Sequence, residues 1–90
     1  MITAYFSPNG SLSGNGGCNA YNSTYIADGQ VITIYPPDAT KKACGDPADT
    51  LELTYLELLP QVANFELRDG FLIMLNNVGE EILRFLPIPL

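Results

Sequence analysis

The chain has 90 residues, 47% hydrophobic and 16% charged, which is enough apolar material for one core and excludes a disordered tail. Ten acidic residues against four basic ones give a net charge of −6, a field that repels phosphate backbones, so no nucleic-acid partner is expected. No run approaches the ~18 apolar residues of a membrane span, so no direct membrane insertion is expected, and no signal-peptide pattern follows Met1.

The first element in chain order is Ile2-Thr3-Ala4-Tyr5-Phe6, a period-two strand ended by the Ser7-Pro8-Asn9-Gly10 turn, and Ser11 to Ser13 should pair back on it. Gly14-Asn15-Gly16-Gly17 implies a sharp bend or a close backbone approach. A strand pair follows, Ala20 to Ile26 and Val31 to Tyr35, joined by Ala27-Asp28-Gly29-Gln30 and ended by Pro36-Pro37. From Asp46 the period changes to that of a helix, with Asp46 as N-cap, Pro47 at the first helical position, Asp49 and Glu52 complementing the dipole, and Pro60 closing it. Leu51, Tyr55, Leu58 and Leu59 share one face of that helix and are expected inside, below Ala48. Ala63 to Leu67, Phe71 to Leu75 and Glu81 to Leu86 read as three more strands, stopped by Pro87 and Pro89. The fold class is therefore mainly β (α+β), a small antiparallel meander barrel or partly open barrel of about seven strands with one amphipathic helix, forming a single domain over 1–90. Phe6, Ile32, Ile34, Phe65, Leu67, Leu83 and Phe85 are expected to face inward with the helix stripe.

Two cysteine neighbourhoods are the most specific features: Gly14-Asn15-Gly16-Gly17-Cys18-Asn19, and Thr40-Lys41-Lys42-Ala43-Cys44 directly ahead of the helix. They resemble the META domain, or HslJ-like, family, in which G-x-x-G-C-N is followed some twenty-five residues later by T-[RK]-x-A-C, an acidic amphipathic helix and closing strands. The motif residues carried over are Gly14, Gly17, Cys18, Asn19, Thr40, Ala43 and Cys44. The resemblance implies a small barrel, and a parent that is exported or envelope-anchored, as a lipoprotein for example. The family is linked to heat-shock response, antibiotic tolerance, motility and virulence, with no common chemistry. It usually has a further strand with a W-x-L motif ahead of the position of Ile2, so this chain is expected to be an excised domain lacking one strand.

An even pair of cysteines fits either an oxidising compartment or two buried thiols. The family resemblance favours a structural disulfide between Cys18 and Cys44. With no histidine and no C-x-x-C spacing, a catalytic cysteine is not expected. Asn19 is expected to satisfy backbone groups of the bend, against the alternative of an amide turned to a ligand. The glycines lack the strand-to-helix order and lysine of a phosphate cradle. Asp46, Asp49 and Glu52 lack the calcium-loop spacing, so neither metal nor cofactor is expected. Tyr21, Ser23 and Tyr25 line one strand face, a possible surface for a sugar or a partner, although cross-strand packing explains the same pattern.

The expected function is a non-enzymatic structural or protein-interaction module of an exported or envelope-associated bacterial protein. The alternatives are a small-ligand-binding barrel and a hydrolase that uses carboxylates in place of histidine. A meander lacking one strand has unpaired edges, and it can answer by tightening, by covering the gap with Pro87-Ile88-Pro89-Leu90, or by taking a strand from another chain. Ile2 to Phe6, free of proline and charge, is the expected edge for a protein partner or for self-association, and Tyr5→Pro is expected to block it.

Overall fold

Turn residues set the lengths of the strands. The computed structural model describes residues 1–88, with β1 (Tyr5–Phe6), β2 (Ser11–Asn15), β3 (Ala20–Asp28), β4 (Val31–Ile34), β5 (Asp38–Ala39), helix α1 (Ala48–Leu58), a 3-10 turn (Leu59–Gln61), β6 (Asn64–Arg68), β7 (Phe71–Leu75) and β8 (Glu81–Phe85). All pairings are antiparallel, in the order β1-β2-β3-β4-β6-β7-β8. The long strand β3 joins two halves, pairing through Ala20 to Thr24 with β2 and through Tyr25 to Asp28 with β4. The eighth strand, one more than expected, is β5: after Pro36-Pro37 the chain returns to β3, setting Ala39 opposite Tyr21. Two residues are too few to display a period.

The sheet curls until its ends approach. The rings of Phe6 on β1 and Phe85 on β8 meet edge to face at 6.4 Å, but no backbone pairing joins β1 to β8 among the described residues. The architecture is a partly open barrel with one short helix. Leu12, Tyr21, Ile32, Ile34, Val62 and Met74 fill its interior, and Tyr55 and Leu59 reach in from α1 and the turn that follows it. The tail proposed as a cover for the gap lies partly outside the described residues, at 89–90.

Two of the residues expected inside are exposed, Leu51 at 58% and Leu67 at 72%. The buried side of α1 runs instead through Glu52, Tyr55 and Leu59, with Leu56 packed beside them, so the helix is rotated by about one residue from the leucine stripe. Leu67 does point inward, because it pairs with Leu72 on the face that carries Phe65 and Met74. It stays exposed because β6 and β7 run past the β3–β4 hairpin: the Phe65 N–H already reaches the carbonyl of Gln30, in the turn itself, at 2.9 Å. At the helix start Pro47 rather than Asp46 is the cap residue, and the Asp46 carboxylate, one position earlier, accepts bonds from the Thr50 N–H and hydroxyl.

The expected strand from Ile2 to Phe6 is regular only over Tyr5–Phe6, with Ile2 making a single bridge to Gly16. The N–H groups of Thr3 and Ser7 donate to the carbonyls of Asn15 and Ser11 on the neighbouring strand β2. By the period of two, Tyr5 also donates toward β2, leaving Ala4 and Phe6 to present their N–H groups to the open side. Gly14 makes this seam possible: a Cβ there would stand 2.2 Å from the Thr3 carbonyl oxygen. Gly14→Ala is therefore expected to cost roughly 1–3 kcal/mol and to unpair the N-terminal segment, read as faster amide exchange at Thr3 and Tyr5. Unchanged exchange at both would show that the seam tolerates a methyl group.

Candidate functional site

Three segments distant in sequence meet at the two cysteine motifs. A disulfide joins Cys18, at the glycine bend, to Cys44, just ahead of α1, with Cα atoms 6.0 Å apart. Beside it the Asn19 side chain, only 4% exposed, uses its full bonding capacity. Its Nδ2 donates to the Lys42 carbonyl (2.9 Å) and to Glu52 Oε2 (2.7 Å), while its Oδ1 accepts from the Thr40 hydroxyl and the Lys42 N–H (2.8 Å each). Glu52 reaches across from α1, and its Oε1 accepts from the backbone N–H groups of Cys18 (3.0 Å) and Asn19 (2.5 Å). The Cys18 Sγ lies 3.3 Å from the Lys42 carbonyl as a contact only, since a disulfide sulfur has no proton to donate. Gly16 and Gly17 let the bend reach the helix. A Cβ on Gly16 would fall 2.8 Å from Glu52 Cγ, and Gly17 has φ +118°.

Glu52 is 8% exposed and bears a charge. The amide of Asn19, then its backbone N–H, hold the carboxyl below the usual range against a smaller opposing effect of burial, with help from the Cys18 N–H and the Lys42 ammonium. Alongside, the Tyr21 hydroxyl donates to the Thr3 carbonyl at 2.8 Å and sits 2.5 Å from the Tyr55 hydroxyl, which is left to donate to it. Burial pushes both phenols upward, and donation into Tyr21 raises Tyr55 further. The arrangement is a closed clamp of ionised acceptor and neutral donors, tying bend, 40–44 segment and helix together.

The signature that organises this clamp matches the family model of the META domain over residues 1–87. The chain belongs to the META domain family. Searches of curated proteins and of solved structures return no match.

In this META domain the motif residues have distinct places. Gly14 admits Thr3, Gly17 and Cys18 form the bend, Asn19 and Thr40 belong to the clamp, and Cys44 is exposed at the far end of the bridge, while Ala43 is exposed and outside the hydrogen-bond network. Glu52, which a sequence reading assigns to the helix dipole, is its central acceptor. The signal for it was the set 52, 55, 56 and 59, which also has helical spacing.

The Tyr21, Ser23 and Tyr25 face turns inward, in keeping with cross-strand packing rather than with a binding surface. Tyr21 is 1% exposed, the Ser23 hydroxyl bonds to the Tyr35 carbonyl, and the Tyr25 hydroxyl donates to the Ser7 carbonyl at 2.5 Å. The sulfurs of Cys18 and Cys44 and the Asp49 carboxylate lie within 4.8 Å of one another, but the sulfurs are bonded to each other and Asp49 accepts from the N–H groups of Cys44 and Gly45. They form no thiolate metal centre in this state. At the open end of the barrel lies a hollow of about 240 Å³ lined by Phe6, Tyr25, Ala27, Ile32, Phe65, Leu72 and Met74. No described helix is long and apolar enough to cross a membrane.

Proposed function

We propose that this META domain is a non-enzymatic protein-interaction module that accepts an extended segment on the open edge of β1. The observation that carries the reading is that, among the described residues, β1 is paired on one side only, with the Ala4 and Phe6 N–H groups directed outward and neither proline nor charge within Ile2 to Phe6 to protect them. The half-exposed Tyr5 adds contact area on the same edge. The Cys18–Cys44 bridge favours an oxidising compartment, in keeping with an exported or envelope-associated parent.

The hydrolase alternative is the weaker one. A general acid or base needs a carboxyl with a raised pKa and a free lone pair facing a cleft, whereas Glu52 is held ionised and committed to three donors. The small-ligand alternative lacks convergent polar groups in the hollow, because the one hydroxyl there, on Tyr25, is already bonded to Ser7.

The test combines sedimentation with residue-resolved amide exchange. The Ala4 and Phe6 amides should exchange fast in the monomer and become protected as an extended partner segment associates. Ala4→Pro should prevent that association by removing an outward donor, while Tyr5→Pro, expected from sequence to do so, should instead break β1 from β2. Slow exchange at Ala4 and Phe6 in a strict monomer would mean that the edge is already satisfied, and the proposal would fail.

A further inference from the structure

We infer that the apolar hollow is the side-chain pocket of this strand-accepting edge, and that it selects a segment bearing one large apolar side chain between basic residues. The inference rests on the strand-addition reading above and adds the partner's chemistry to it. Phe6 belongs to both features, lying on β1 and lining the hollow. A strand laid along β1 sends alternate side chains to the interior face, the face on which Phe6, Phe65, Leu72 and Met74 stand. One of those side chains therefore arrives over the hollow.

Size and lining define what fits. A cavity of about 150 Å³ holds a benzene ring and drug-sized sites begin near 300 Å³, so about 240 Å³ suits one leucine or phenylalanine side chain. With the Tyr25 hydroxyl committed to Ser7, the lining offers apolar contact alone. Leu67, turned inward at this end yet 72% exposed, is lip surface that an incoming segment would cover.

Charge decides between a second copy and a different partner. Arg68 and Arg84 are bound to Glu66 and Glu81, and Lys41 and Lys42 lie in the segment leading to the disulfide, away from this end. Asp28, which follows the lining residue Ala27, takes part in no ion pair among the described residues, and Asp69, in the turn two residues beyond Leu67, lies near Arg84, which is already paired with Glu81. A copy of this chain carries −6 and is repelled, whereas a basic segment is attracted and oriented.

The probe is a fluorescently labelled heptapeptide, Lys-Thr-Thr-Phe-Thr-Thr-Lys, titrated with the intact protein at low salt and followed by polarisation. Binding is expected to weaken at least tenfold when its phenylalanine becomes serine and at least fivefold when both lysines become glutamate. N-methylation of the alternate residues that face β1 should abolish it. Ala27→Trp, which fills the hollow from an exposed lining position, should weaken binding at least tenfold, and Leu67→Ser at the lip severalfold, the latter without risk to the fold. Loss on N-methylation with no effect of Phe→Ser, Ala27→Trp or Leu67→Ser would leave the edge reading standing and overturn the pocket. Full binding of the N-methylated peptide would overturn the edge reading and this inference with it. Equal binding of the lysine and glutamate peptides would overturn the basic selectivity, and no binding of any peptide would overturn the whole.

Discussion

Glu52→Ala is expected to lower the unfolding free energy by about 3–5 kcal/mol, because it strands the N–H groups of Cys18 and Asn19 and one donor of the Asn19 amide, each costing about 1–3 kcal/mol where water cannot replace the acceptor fully. For a domain of this size the melting temperature should fall by on the order of 15 °C or more. Glu52→Gln should recover part of the loss, since its carbonyl oxygen can still accept from the Cys18 and Asn19 N–H groups while its NH2 group would face the NH2 group of Asn19. The pH dependence separates charge from packing. The folded carboxyl titrates below its ordinary value of 4.5, so the native state holds fewer protons than the unfolded chain as pH falls toward that range. Its stabilising contribution is complete above pH 4.5 and is lost as pH falls through the lower, folded-state value. Urea unfolding at a series of pH values should show this acid loss in the wild type and a flatter acid limb in Glu52→Ala. Equal slopes in the two proteins, or a stability change under 1 kcal/mol, would mean that water substitutes for the carboxylate and that the clamp is incidental.

Replacing both Cys18 and Cys44 by serine is expected to cost roughly 3.5 kcal/mol. The bridge spans a sequence separation of 26, and a loop of that length restricts the unfolded chain by about this amount in the chain-entropy model. That is a large share of the roughly 5–15 kcal/mol that holds an ordinary domain together. The effect should be coupled to Glu52, because the carboxylate binds the backbone of Cys18 itself, so the double-serine and Glu52→Ala losses should not add. Guanidinium unfolding of the oxidised, reduced and serine proteins tests this. Coincident midpoints for all three would show that the bridge adds no stability.

Much of the local structure was legible in the amino-acid order. Pro36-Pro37 and Pro60 end their elements near the places expected of residues without a backbone donor, and Asp28-Gly29, Asp69-Gly70 and Asn77 to Gly79 supply the turns between paired strands. The change of period at Asp46 located the helix, which spans Ala48–Leu58. The cysteine count alone left bridge and free thiols open, and the family resemblance favoured the bridge; the structure joins the two residues, with their Cα atoms 6.0 Å apart.

The rotation of α1, the fate of Leu67 and the role of Glu52 were decided only by tertiary structure. A leucine stripe through Leu51 is as regular as the set through Glu52, Tyr55 and Leu59, and nothing within the helix distinguishes them. What does so is a glycine bend more than thirty residues earlier, whose N–H groups must find an acceptor once buried and which carries no side chain to keep the carboxylate away. Leu67 likewise alternates correctly for an inward residue, but inward is not the same as covered, and cover depends on how far a separate hairpin extends. Period and punctuation are properties of neighbouring residues and can be read along the chain. Burial and hydrogen-bond satisfaction belong to pairs of groups brought together by the fold, and a carboxylate that looks like helix surface becomes the centre of the clamp because of where its partners arrive.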